Sequence, residues 1–219
     1  MSSRAVRSIA VLIAVALVAG ALALYINKFL RAPAPVAATP NGPDRARITL
    51  GTTPAVGALG GNPTWVSYLA RVEDEWDHTT TYELPANSLV DMTIYQFDGM
   101  SGLRNPFLSQ VQGTVGGRMK LNGRTVRSID PDSAAHTFTV PDLGVIVPLP
   151  GVPGNAPNQC AEMPCSLTDA HQKVEFTIRT PEPGDYRWQC FVPCAAGFVD
   201  GNGGPMQTIG YMDGYLEVK

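Results

Sequence analysis

The sequence predicts an all-β sandwich carried behind a single apolar helix. Three observations predict it. Short stretches alternate apolar and polar residues with a period of two, the pattern of half-buried strands. The 219 residues include 22 Gly and 19 Pro, which punctuate the chain too often for long helices. One run, Ile9 to Ile26, holds 18 consecutive residues without a charge or a strongly polar group.

That run comes first. As a helix it spans about 27 Å at 1.5 Å per residue, close to the hydrocarbon thickness of a bilayer. Arg4 and Arg7 precede it, as expected of a cytoplasmic N-terminus. Lys28 and Arg31 follow it closely enough to snorkel. The expectation is a single-pass anchor over 1–31 in the cell membrane, with the rest on the extracytoplasmic side. A cleaved signal peptide is the rival reading, with Ala21-Leu22-Ala23 as the small-residue cleavage site. Either reading exports the remainder. Residues 32–47 begin Ala-Pro-Ala-Pro and read as an extended, semi-rigid tether. The exported domain is then 48–219.

Within that domain the strand patterns follow in order. Val90, Met92 and Ile94 alternate with Asp91, Thr93 and Tyr95. His136, Phe138 and Val140 alternate with Thr137 and Thr139, and Val174, Phe176 and Ile178 with Glu175, Thr177 and Arg179. Pro181-Glu182-Pro183-Gly184-Asp185 is a strong turn signal. After it Tyr186, Trp188 and Cys190 share one face of the next strand, and Tyr215 to Val218 forms the last. Several short strands separated by turns read as an antiparallel sandwich. Trp65 to Trp76 reads as a short amphipathic helix, because Val66, Leu69 and Val72 recur at helical spacing. Residues 98–128 and 147–170 read as long inserted loops.

Charge and motifs exclude several functions. The net charge of −3 gives no nucleic-acid footprint. There is no C-x-x-C-H haem attachment, no G-x-S-x-G, no H-E-x-x-H and no phosphate-binding loop. The 3 His are too few for a multicopper oxidase.

The four cysteines, Cys160, Cys165, Cys190 and Cys194, all lie in the exported part. Outside the cytoplasm an even count points to disulfides; the plain reading is two local bridges, Cys160–Cys165 and Cys190–Cys194, but four cysteines allow three pairings and spacing alone does not choose among them. A second arrangement competes. His136 on a strand, the Cys190-Phe-Val-Pro-Cys194 loop, and Met206 and Met212 beyond it make a soft donor set suited to copper, above all cuprous copper.

These segments resemble the cupredoxin family, and more closely the copper domain of cytochrome c oxidase subunit II. His136-Thr-Phe-Thr-Val-Pro-Asp-Leu-Gly-Val145 with Pro150-Gly151 resembles the first-histidine strand. Pro183 to Cys190 resembles the strand leading into the copper loop, and Cys190 and Cys194 have the C-x3-C spacing of the dinuclear site. Gly210-Tyr211-Met212-Asp213-Gly214-Tyr215-Leu216 resembles the segment around the methionine ligand of single-copper members. The resemblance covers 132–151 and 172–219. It implies a Greek-key sandwich, copper as cofactor, and His136, Cys190, Cys194, Met206 and Met212 as metal ligands. It also implies electron transfer or copper handling beside a respiratory complex or redox protein, rather than a stand-alone enzyme.

The departures are specific. Phe198 and Gln207 stand where the two patterns place a second histidine ligand. His171 and His78 are the remaining imidazoles; His171 reads as a strand-edge residue and His78 as a solvated or interface one in an acidic stretch. One imidazole short, the sequence favours a resting Cys190–Cys194 disulfide. The competing function is then a copper-free accessory or assembly subunit of a membrane complex.

Overall fold

The computed structural model describes residues 3–26, 34–59, 65–195, 197 and 199–219. It divides into two compact units, Met1–Ala32 and Pro33–Lys219. The first contains helix α1 (Ser3–Tyr25), 23 residues and so about 34 Å long. It is long and apolar enough to cross a membrane. Phe198, one of the two departures noted above, lies outside the described residues.

The second unit is a two-sheet β-sandwich. Its strands in chain order are β1 (Val36–Ala37), β2 (Thr39–Pro40), β3 (Arg45–Thr53), β4 (Ser67–Val72), β5 (Glu75–Asp77), β6 (Thr81–Leu84) and β7 (Leu89–Gln96). They continue with β8 (Met119–Leu121), β9 (Arg124–Val126), β10 (Ala134–Val140), β11 (Val145–Pro150), β12 (Gln172–Arg179), β13 (Gly184–Gln189) and β14 (Asp213–Val218). One sheet runs β1-β6-β14-β13-β10-β11 and the other β5-β4-β3-β7-β12-β8-β9, with β2 on β3. The stretch read as a tether therefore supplies β1, β2 and the start of β3.

Period-two burial governs the central strands. In β7 the residues alternate half-buried and buried, with Val90, Met92 and Ile94 inward. In β12 Val174, Phe176 and Ile178 do the same. Two sheets can share a core only when each strand offers one apolar face, and these strands do.

Four expectations are corrected. The sandwich is mixed rather than antiparallel, since β3 pairs parallel with β7, and β14 and β1 pair parallel with β6. Between β3 and β7 the chain makes the β4–β5 hairpin and crosses to the other sheet as β6, so β7 returns in the direction of β3. Trp65 to Trp76 contains no helix. It contributes β4 and β5, joined through Glu73 at φ 55°. β4 is buried on both faces: Tyr68 enters the main core, while Leu69 joins Trp76 and Phe97 in a second cluster. A strand apolar on both faces lets a helical spacing arise by coincidence. β10 is also buried throughout rather than on one face. Finally, 98–128 is not wholly loop, because it carries the β8–β9 hairpin, and 147–170 begins inside β11.

An aromatic cluster joins the sheets. Trp188 of β13 is fully buried, its ring 4.6 Å from Tyr68, 5.1 Å from Phe138 and 5.8 Å from Tyr82. Its Nε1–H donates to the Thr80 carbonyl at 2.9 Å, so the indole carries no unsatisfied polar atom into the core. Gly214 on the neighbouring strand leaves room for that carbonyl; a Cβ there would lie 1.9 Å from Thr80 O. Trp188→Ala should lower the unfolding free energy by about 3–5 kcal/mol in urea titrations. A loss below about 1 kcal/mol would remove Trp188 from its central place in the core.

Candidate metal centre

Four of the five sequence-predicted ligands, His136, Cys190, Cys194 and Met206, converge where β10 begins and where β13 ends; the Met212 side chain does not join them. His136 enters from β10. The register with β11 shifts between Ala134 and His136, a bulge of the kind that re-aims a side chain. Its ring is fully buried. Cys190 follows the last residue of β13, and its backbone N–H donates to the Met212 carbonyl at 2.9 Å. The Thr137 N–H points at Cys190 Sγ, 3.4 Å away. Thr137 Oγ1 accepts from the Phe191 N–H at 2.8 Å. The Cys190–Cys194 loop is thus stitched to the histidine strand at Cys190 and Phe191.

The donor atoms form one chain. His136 Nδ1 lies 3.8 Å from Cys190 Sγ. Cys190 Sγ lies 4.0 Å from Cys194 Sγ. Cys194 Sγ lies 3.0 Å from Met206 Sδ. Ligand atoms of His136, Cys190 and Cys194 all fall within 4.8 Å of one another. Met206 is held by its backbone, whose carbonyl accepts from Gln189 Nε2 at 2.6 Å. Met212 is tied to the site through its carbonyl on Cys190, and its side chain is fully buried in the core.

Two cysteine expectations separate. Cys160–Cys165 is a disulfide with an S–S distance of 1.99 Å. Cys190 and Cys194 are free thiols, so the expected resting bridge between them is corrected. Packing accounts for the difference: Cys190 is anchored on the β13–β14 ladder and turned toward His136, while Cys194 is turned toward Met206.

The other imidazoles serve elsewhere. His171 packs edge-on to Tyr95 and Phe97 at 5.2 and 5.6 Å, with Nδ1 2.8 Å from the Asp169 carbonyl. His78 packs on Tyr211 at 5.0 Å, with Nε2 3.1 Å from Ser67 Oγ. It is partly buried. Gln207 is exposed at the end of a short 3-10 turn.

One member of the site was invisible in the sequence. Asp98 Oδ2 lies 3.0 Å from His136 Nε2. Thirty-eight positions separate the two residues, and no motif links them. The only signal was an acid three positions beyond the strand pattern of 90–95.

Electrostatics follow from these contacts. Burial alone would lower the His136 pKa, but hydrogen bonds and charge from Asp98 and Cys190 raise it to about 9. Burial alone would raise that of Cys190. The hydrogen bonds from Cys194 and His136, the imidazolium charge and the Thr137 N–H instead hold it well below the usual thiol value. Cys194 is pushed up, first by its hydrogen bond to Cys190 and then by burial, and stays a thiol. Burial would raise Asp98 as well, but His136 and the Gly99 N–H bring it below the ordinary carboxylate value. These directions favour, in the metal-free site, a buried Cys190 thiolate and His136 imidazolium beside a partly exposed Asp98 carboxylate.

Two pH-dependent outcomes follow. The reduced, metal-free protein should keep a thiolate ultraviolet band below pH 9, and His136→Ala should abolish it. Stability should change little between about pH 6.5 and 9. The His136 contribution is complete below the ordinary imidazole value of 6.5 and is lost as pH rises through about 9. The Cys190 contribution runs the opposite way: it is present above the ordinary thiol value of 9.0 and is lost as pH falls through the depressed folded value. Urea melts at stepped pH check both.

No protein-family model matches the sequence, and no curated protein matches it. Among solved structures the chain is similar to rusticyanin from Thiobacillus ferrooxidans, at 16% identity over 91% of this chain and 93% of that one, TM-score 0.33. It is similar to reduced rusticyanin at 18% identity over 91% and 95%, TM-score 0.33. It is also similar to a chain of a heme–copper terminal oxidase dimer at 12% identity over 97% of each, TM-score 0.34. Likenesses at this level of superposition carry no functional weight, and the chemistry of the His–Cys–Cys cluster has to carry it instead.

Proposed function

We propose that the chain is a membrane-anchored, extracytoplasmic, cupredoxin-like protein that binds copper and handles it in the cuprous state within a respiratory, oxidase-type system. One observation carries this reading: an imidazole nitrogen and two free thiol sulfurs within 4.8 Å, extended by a thioether 3.0 Å from the second sulfur. Thiolate and thioether donors select cuprous copper, whereas a blue-copper site wants two imidazoles and one thiolate. Among the described residues a second imidazole does not join the cluster. Electron transfer is the finer alternative, and the single imidazole argues against it.

His136 Nδ1, Cys190, Cys194 and Met206 would hold the ion. When bound, copper would supply a soft, one-electron redox centre. The chain's own part is to keep those donors dry and close. Fully buried His136 and Cys190 exclude water, and the β10–β13 framework limits their movement. α1 would hold the domain at the membrane, where an oxidase-type partner resides.

Anaerobic cuprous loading of the detergent-solubilised full chain tests this. Close to one copper per chain is expected, with Cys190 and Cys194 protected from alkylation. His136→Ala and Cys190→Ser should each weaken binding by more than about tenfold, or about 1.4 kcal/mol. Met206→Leu should weaken it too, whereas Met212→Leu, a volume-conserving core change, should not. No copper uptake by the reduced chain would overturn the reading in favour of a copper-free accessory subunit.

A further inference from the structure

We propose that Asp98 is a positioning residue, a carboxylate that fixes the His136 ring so that Nδ1, and not Nε2, faces the three sulfurs. The inference rests on the copper reading above only for its consequence. The orientation itself is a property of the metal-free chain.

The geometry is built from the end of β7. Gln96 is fully buried, and every polar atom of its amide is used. Its Oε1 accepts from Thr52 Oγ1 at 2.7 Å and from the Asp98 N–H. Its Nε2 donates to the Asp98 carbonyl at 2.8 Å and to the Pro150 carbonyl at 3.2 Å. One side chain therefore clamps the Asp98 backbone on both sides and ties it to the end of β11. β11 is the strand paired with β10, with His136 opposite Leu149. The same loop is packed from the other side by Gly151, where a Cβ would lie 2.5 Å from the Met100 nitrogen. Asp98 Oδ1 accepts from the Gly99 N–H at 2.7 Å, which sets the carboxylate rotamer. Oδ2 is left to meet His136 Nε2 at 3.0 Å.

Physics then assigns the ring. An ionised carboxylate accepts and cannot donate, so the nitrogen facing it must carry a proton. Nε2 is that nitrogen. Nδ1 is then the nitrogen that points toward Cys190 Sγ, at 3.8 Å, and the one whose lone pair becomes available to a metal once its proton is displaced. Without Asp98 neither tautomer is selected on that side, and the ring can turn. A carboxylate behind a ligating imidazole also makes the free nitrogen a stronger donor.

The test uses Asp98→Ala and Asp98→Asn in the full chain, labelled with nitrogen-15 and kept reduced. Without copper, the wild-type His136 ring should give a slowly exchanging Nε2–H resonance. Asp98→Ala should lose it, and Asp98→Asn, whose amide oxygen still accepts, should keep it. With copper, competition against a chromophoric cuprous chelator should show affinity falling about 10–100-fold in Asp98→Ala, with partial rescue by Asp98→Asn. Unchanged Trp188 indole shifts would confirm that the core is intact. A His136 ring resonance unaltered in Asp98→Ala would overturn the proposal. So would Asn behaving as Ala in the ring spectrum, because the acceptor would then not be what matters. If wild type takes no copper, the copper reading fails, while the ring spectrum still decides the role of Asp98.

Discussion

The structure depends on the packing of Trp188 against Tyr68. The two rings lie 4.6 Å apart at 66° and come from opposite sheets, β13 and β4. Phe138 of β10 stacks on the same indole, and Phe176 of β12 lies 6.0 Å beyond it. Aromatic side chains bury more area than any others and prefer such tilted contacts. Here they fix the spacing of the sheets and, through β10 and β13, the separation of His136 from Cys190. Tyr68 connects core and site directly. Its hydroxyl donates to the Thr137 carbonyl at 2.9 Å, one residue beyond the histidine. The site is a consequence of the core, because both strands that bear it are pinned within one or two residues of an aromatic contact.

The cost of that arrangement is polar burial. A fully buried imidazole and a fully buried thiol would each be expensive without partners. Their partners are each other and Asp98, whose side chain is 19% exposed. The carboxylate brings a charge to one end of the array, at the edge of solvent. The network has a polarity of position: Asp98 on one side, then imidazole, then Cys190, with half-buried Cys194 on the other side. Soft donors therefore lie toward the loop after β13, and the hard carboxylate lies behind the ring. That segregation suits a soft cation held at the sulfur side and a proton held at the carboxylate side.

Much of this was legible in the sequence. Period-two burial in β7 and β12 follows from single-faced strands, and an alternating pattern has one physical cause. The Pro-Glu-Pro-Gly-Asp turn fixed where β13 begins. The cysteines were legible as disulfide candidates, but spacing did not choose among their three pairings; the structure pairs Cys160 with Cys165. β4 was misread because both of its faces are apolar. Tyr68 and Leu69 point into different clusters, and a strand without a polar face carries no period to read.

The sequence by itself determined the apolar helix, the strands that present one face to a core, and the chemical kinds of donor available. Those are local properties, set by side-chain type and spacing along the backbone. Tertiary structure alone decided that Cys190 and Cys194 stay apart at 4.0 Å, that Met206 meets Cys194, and that Asp98 stands behind His136. Each of those facts depends on how separate strands are brought into register by the packing between sheets. Spacing along the chain does not encode a distance of 3.0 Å between residues 38 positions apart; only the folded core does.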